Sequence, residues 1–163
     1  QAAQAAPVDI DALIALGEGE QIEFKSTLRV NLHTRQKDPK MELAILKTIA
    51  GFLNSRGGTL VIGVSDDGET VGIEIDDFTS EDKMNLHLVN LCRDRIGATL
   101  MMYLHPRFED REDKRVLVVE CWPSNSAAFV KEGTDERFYV RTGAATTELT
   151  PSQTQEFIKK RFL

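Results

Sequence analysis

A chain of 163 residues fits one compact domain, since domains commonly hold roughly 100–150 residues and that length already buries most of its unfolded surface. Its 41% hydrophobic and 28% charged residues argue against disorder and fibrous classes, and a net charge of −6 argues against coating nucleic acid by bulk charge alone. The apolar runs Thr59–Val64 and Ala98–Leu104 fall far short of the roughly 20 residues a membrane-spanning helix needs, so no membrane partner is expected.

In chain order, residues 1–8 lack the basic-then-apolar order of a signal peptide and read as a linker remnant. Residues 9–163 are then expected to form one domain, excised from a larger protein. Asp9 to Leu16 predicts a short helix ended by Gly17, and Gln21 to Ser26 alternates as a half-buried strand would. That pleat puts Glu23 and Lys25 on the face opposite Ile22 and Phe24. Residues 27–38 carry no period and read as a polar, basic connection. Asp38-Pro39, a capping acid with proline in the first turn, opens a helix with a broad apolar stripe, closed by Gly57.

Gly58 to Ser65 predicts a strand, Asp66-Asp67-Gly68 a tight turn, and Thr70 to Ile75 its hairpin partner. Thr79 or Ser80 caps a helix running through Arg95. Thr99 to Phe108 and Arg115 to Trp122 read as a strand pair around a charged turn. Short strands at 128–131 and 137–141 and a helix from Thr150-Pro151 complete the chain. The fold class expected is α+β: a mixed, largely antiparallel sheet with helices packed on it.

Cys92 and Cys121 stand alone in apolar stretches and read as buried, reduced cysteines of a cytoplasmic protein. Charge is uneven. Between Lys25 and Lys47, six basic residues (Lys25, Arg29, Arg35, Lys37, Lys40, Lys47) face Asp38 and Glu42, so 6 minus 2 leaves +4, with His33 in addition. A solvated loop and helix face would look the same.

Several chemistries are ruled out by residue type. Gly58 and Gly63 have the separation of a phosphate loop, but Val64 stands where its lysine belongs. The histidines His33, His87 and His105 have no nucleophile elbow beside them, and two isolated cysteines do not make a zinc site. Carboxylates remain. Hard divalent cations such as Mg²⁺ or Mn²⁺ take oxygen ligands, and Glu18, Glu23 and Asp66 lie at the ends of two strands that are allowed to be neighbours. Lys25, on the strand face of Glu23, would stand near a phosphate there. Each residue alone also fits a plain role: a loop solubiliser, an exposed strand pair, a hairpin turn.

The runs Glu18 to Lys25, Ile49 to Gly68 and Val71-Gly72-Ile73 closely resemble the Schlafen Alba-type nucleic-acid-binding domain, and Arg137 to Thr146 is similar to that family's final strand and loop. The resemblance spans about residues 10–162. It implies a mixed sheet-and-helix fold, a nucleic-acid partner, either RNA or DNA, and occurrence as one module of larger bacterial proteins. In the family's nuclease branch a three-carboxylate site holding divalent Mg or Mn cuts structured RNA such as tRNA. Its acids match Glu18, Glu23 and Asp66, and Lys25, placed by its strand face, would assist at the phosphate.

On this reading Arg29, Arg35, Lys37, Lys40 and Arg141 contact the nucleic-acid backbone, and a homodimer rebuilds the clamp that animal relatives form from two domains. Two further readings stand beside the endoribonuclease: a non-catalytic DNA-binding or regulatory module, and a nucleotide-sensing domain.

Overall fold

The computed structural model describes residues 9–163, so the linker expected over residues 1–8 lies outside the described residues. The elements run α1 (Ile10–Leu16), β1 (Ile22–Lys25), β2 (Val30–Asn31), β3 (Gln36–Lys37), α2 (Pro39–Asn54), β4 (Gly58–Ile62), α3 (Glu81–Arg95), β5 (Leu104–Arg111), β6 (Lys114–Cys121), β7 (Phe129–Glu132), β8 (Asp135–Thr142), β9 (Ala145–Leu149) and α4 (Pro151–Phe162). Strands β1-β4-β6-β5 form the central sheet, with β1 and β4 parallel and the other pairs antiparallel. A second, antiparallel sheet has the order β7-β8-β9, and β2 and β3 pair as a two-residue ribbon. This is the α+β fold expected, with the strands divided among three sheets.

The unbroken apolar run of β4 follows from burial on both faces. Leu60 and Ile62, with Leu117 and Val119 of β6, point into the main core under α2 and α3. Val61, with Val116 and Val118, points the other way, against Ile10, Leu13 and Ile14 of α1 and Phe24 of β1. Helix α2 starts where expected, with the Asp38 carboxylate accepting from the Lys40 amide at 3.0 Å, and it is buried over most of its length because the second sheet covers the side the central sheet leaves open. Cys92 and Cys121 are free and buried, and burial pushes the Cys92 thiol up to about 12. Among the described residues no helix is long and apolar enough to cross a membrane.

Four expectations are corrected. Thr70 to Ile75 is not a strand: after a single bridge between Val64 and Thr70, the Gly63 carbonyl accepts from both Val71 and Gly72, which curls the chain into a 3₁₀ turn at Glu74–Asp76. Ala98–Tyr103 is likewise 3₁₀-helical, and its strand begins only at Leu104; a continuous apolar run does not distinguish the two by period. Residues 27–38 are not a structureless connection, since Leu28 and Val30 are core residues and the β2–β3 ribbon follows. Strand β9 was not foreseen at all; its burial alternates weakly because it is the rim of the second sheet.

Candidate nucleic-acid interface and carboxylate corner

Strand β1 is an edge of the central sheet, so its outward backbone groups need partners. Side chains supply them. The Glu18 carboxylate accepts from the Phe24 amide at 3.0 Å, and Arg141, reaching across from β8, donates from Nη2 to the carbonyls of Gly19 (2.7 Å) and Ile22 (3.0 Å). The same Nη2 lies 2.7 Å from Glu23 Oε1, and the Arg141 side chain is only 1% exposed. Lys25 Nζ approaches the other Glu23 oxygen at 3.6 Å. Glu23, expected on an open strand face, is therefore buried beneath the second sheet.

Glu18 and Glu23 are near enough to share a hydrogen bond once one carboxyl is protonated, and Asp66, in the exposed turn after β4, is close enough for its charge to act on Glu18. Burial, that hydrogen bond and the charges of Glu23 and Asp66 raise the Glu18 carboxyl to about 7, against the opposing pull of the Phe24 amide. The charges of Glu23 and Asp66 reach Glu18, but the three acids, expected from the sequence to share one ion, are not set as a ligand sphere. Glu23 already has a buried guanidinium as its counter-cation, Glu18 is bound to backbone, and among the described residues no group of three or more His, Cys, Asp or Glu is arranged to hold a metal ion. In this arrangement the donor set does not fit a divalent cation.

Two of the expected phosphate contacts are elsewhere engaged. Arg141 is buried in the latch just described and cannot reach a nucleic-acid backbone. Arg29 turns inward: Nε donates to the Asp76 carbonyl at 2.9 Å, Nη2 to the Asp77 carbonyl at 3.0 Å, and the guanidinium stacks 3.6 Å over the Phe78 ring. Arg35, Lys37 and Lys40 are exposed, on the tip and second strand of the β2–β3 ribbon and the first turn of α2.

The ribbon stands where it does because of Asp76, which no motif announced. Its buried carboxylate accepts three successive amides, Leu28 (2.6 Å), Arg29 (2.9 Å) and Val30 (3.0 Å), fixing the loop that leads into β2. Between the ribbon, the start of α2 and the carboxyl ends of β1 and β4 lies an open cleft of about 300 Å³. Lys25, Asp66 and His33 line it with polar groups, and Leu32, Met41 and Ala44 add apolar surface. Sequence reasoning missed this cleft. Met41 and Ala44 read as core stripe, and the only signal was Leu32, a lone apolar residue in a polar stretch.

The sequence profile of the family described as Schlafen, AlbA_2 matches residues 18–150, most of the chain. The chain belongs to the Schlafen AlbA_2 family. No curated protein matches this AlbA_2 chain. Among solved structures it is similar to the DIP2311 protein from Corynebacterium diphtheriae, with a TM-score of 0.65, 16% identity, and 93% of this chain covered. It spans only 31% of that protein's length. It is also similar to the N-terminal domain of a Nitrosomonas europaea protein described as related to the ATP-dependent DNA helicase RecG, with a TM-score of 0.52, 22% identity, and coverage of 81% of this chain and 84% of the other. At these identities the likeness concerns the AlbA_2 fold.

Proposed function

We propose that this chain is a nucleic-acid-binding module of a larger protein, and that Arg35, Lys37 and Lys40 grip the phosphate backbone. Family membership supports a nucleic-acid-related role. The observation that carries the reading is the exposure of these three cations on one ribbon and helix start, beside an open cleft, in a chain whose overall charge is negative. Phosphate contacts of this kind position a strand without reading its sequence. The test is fluorescence anisotropy of a labelled RNA or DNA oligonucleotide against salt. The triple variant R35E/K37E/K40E is expected to lose most affinity and to flatten the log K against log salt slope by about one per residue. Unchanged binding by the folded triple variant would overturn the reading.

A second reading, endoribonuclease action on structured RNA such as tRNA at the carboxylate corner, is favoured by the contact of Glu18 with Glu23 in the field of Asp66. It requires Arg141 and Lys25 to release Glu23 first. Incubating tRNA with the protein and Mn²⁺ decides it: cutting by wild type and none by Glu23→Gln supports the enzyme, while equal cutting by both, or by neither, removes it.

A further inference from the structure

We propose that the cleft between the β2–β3 ribbon and α2 captures a single unpaired nucleotide, so that the module prefers single-stranded or looped nucleic acid to a duplex. The inference rests on the nucleic-acid reading above and adds to it the form of strand recognised. Size is the first argument. A cleft of about 300 Å³ sits at the small end of the roughly 300–1,000 Å³ seen for small-molecule sites, room for one base and its sugar. A base inside a duplex is stacked on both faces and cannot enter such a space, whereas one in a loop or single strand is free to.

Chemistry agrees with size. The wall made by Leu32, Met41 and Ala44 offers apolar surface to a base, and Leu32 remains 38% exposed, a large aliphatic side chain awaiting cover. Lys25 and His33 line the cleft and would meet the phosphates flanking a captured nucleotide, and the Asp66 carboxylate would accept from the amino groups of a base edge. Position completes the case. The cleft lies between the exposed cations of the ribbon and the carboxylate corner, so a strand held by Arg35, Lys37 and Lys40 passes over it.

The experiment compares a fluorescein-labelled single-stranded 12-mer with the same strand annealed into a blunt duplex, for wild type, Leu32→Ser and Ala44→Phe. Wild type is expected to bind the single strand roughly tenfold more tightly than the duplex, the scale of burying part of a base against an aliphatic wall. Leu32→Ser, which removes exposed wall, and Ala44→Phe, which fills the cleft, are each expected to erase that preference. If Ala44→Phe does not fold, Leu32→Ser decides alone, since its exposed site leaves the core intact. Equal affinity of wild type for both forms, or a preference untouched by Leu32→Ser, overturns the inference while leaving the nucleic-acid reading in place. Binding of neither form overturns both.

Discussion

Glu18 combines two jobs that pull its proton in opposite directions: it accepts a backbone amide, which favours the charged form, and it lies partly buried beside a second carboxylate, which favours the neutral one. The neutral side wins, at about 7. Carbon-13 NMR of the side-chain carboxyls is expected to find Glu18 titrating near neutrality, and Glu23→Gln to lower it by removing the neighbouring charge. Because its folded value is raised from the ordinary 4.5 to about 7, the stability linked to its proton is whole below about 4.5 and lost as pH rises through about 7. Thermal midpoints should therefore fall across that window in wild type and fall less in Glu18→Gln. Arg141 is the complementary case. Removing the guanidinium leaves the buried Glu23 with only the 3.6 Å Lys25 contact and takes a donor from the Gly19 and Ile22 carbonyls, so Arg141→Met is expected to cost about 3 kcal/mol by urea denaturation, the low end for breaking a buried ion pair.

Among the elements, the turn from α2 into β4 explains the Asn54-Ser55-Arg56-Gly57-Gly58 motif without a ligand. Asn54 is wholly buried and brackets the second sheet, donating to the carbonyls of Ala128 and Tyr139 at 2.8 Å each and accepting from the Ala128 amide at 2.8 Å. Gly57 has a left-handed φ of 77°, and a Cβ on Gly58 would stand 2.5 Å from the Phe52 ring. Gly58→Ala is expected to cost about 1–3 kcal/mol, measured by chemical denaturation, because the ring is itself fully buried and must shift.

The sequence made much of this scale legible. Capping residues set the starts of α2, α3 and α4, and two-sided burial made β4 stand out. The Glu112-Asp113 turn of the β5–β6 hairpin was less plain, since both residues adopt positive φ, 52° and 62°, without the glycine that usually signals it. That Glu18, Glu23 and Asp66 sit near strand ends was readable from the sequence; the burial of Glu23 was not, because the residue that covers it comes from β8, more than a hundred positions away. Asp76 was illegible for the same reason: its three amide partners lie over forty residues upstream. Asp76→Asn, which keeps an oxygen for the Arg29 and Val30 amides but turns an NH₂ toward the Leu28 amide, is expected to destabilise by about 1–3 kcal/mol, the cost of one buried N–H left unpaired, measured by chemical denaturation.

At the scale of the molecule, one end of the central sheet brings strand ends, cations and carboxylates together. The carboxyl ends of the parallel pair β1 and β4 meet the exposed cations of the ribbon and α2, while buried side chains seal the adjoining β1 edge. Strand-end crevices of this kind are where sheet proteins commonly hold ligands. The most direct test is an amide NMR titration of the ¹⁵N-labelled chain with a short single-stranded oligonucleotide at low salt. Shifts concentrated in residues 25–44 and at Asp66 are the predicted result. Shifts gathered instead on α4 or the β5 edge, with residues 25–44 unmoved, would contradict the account.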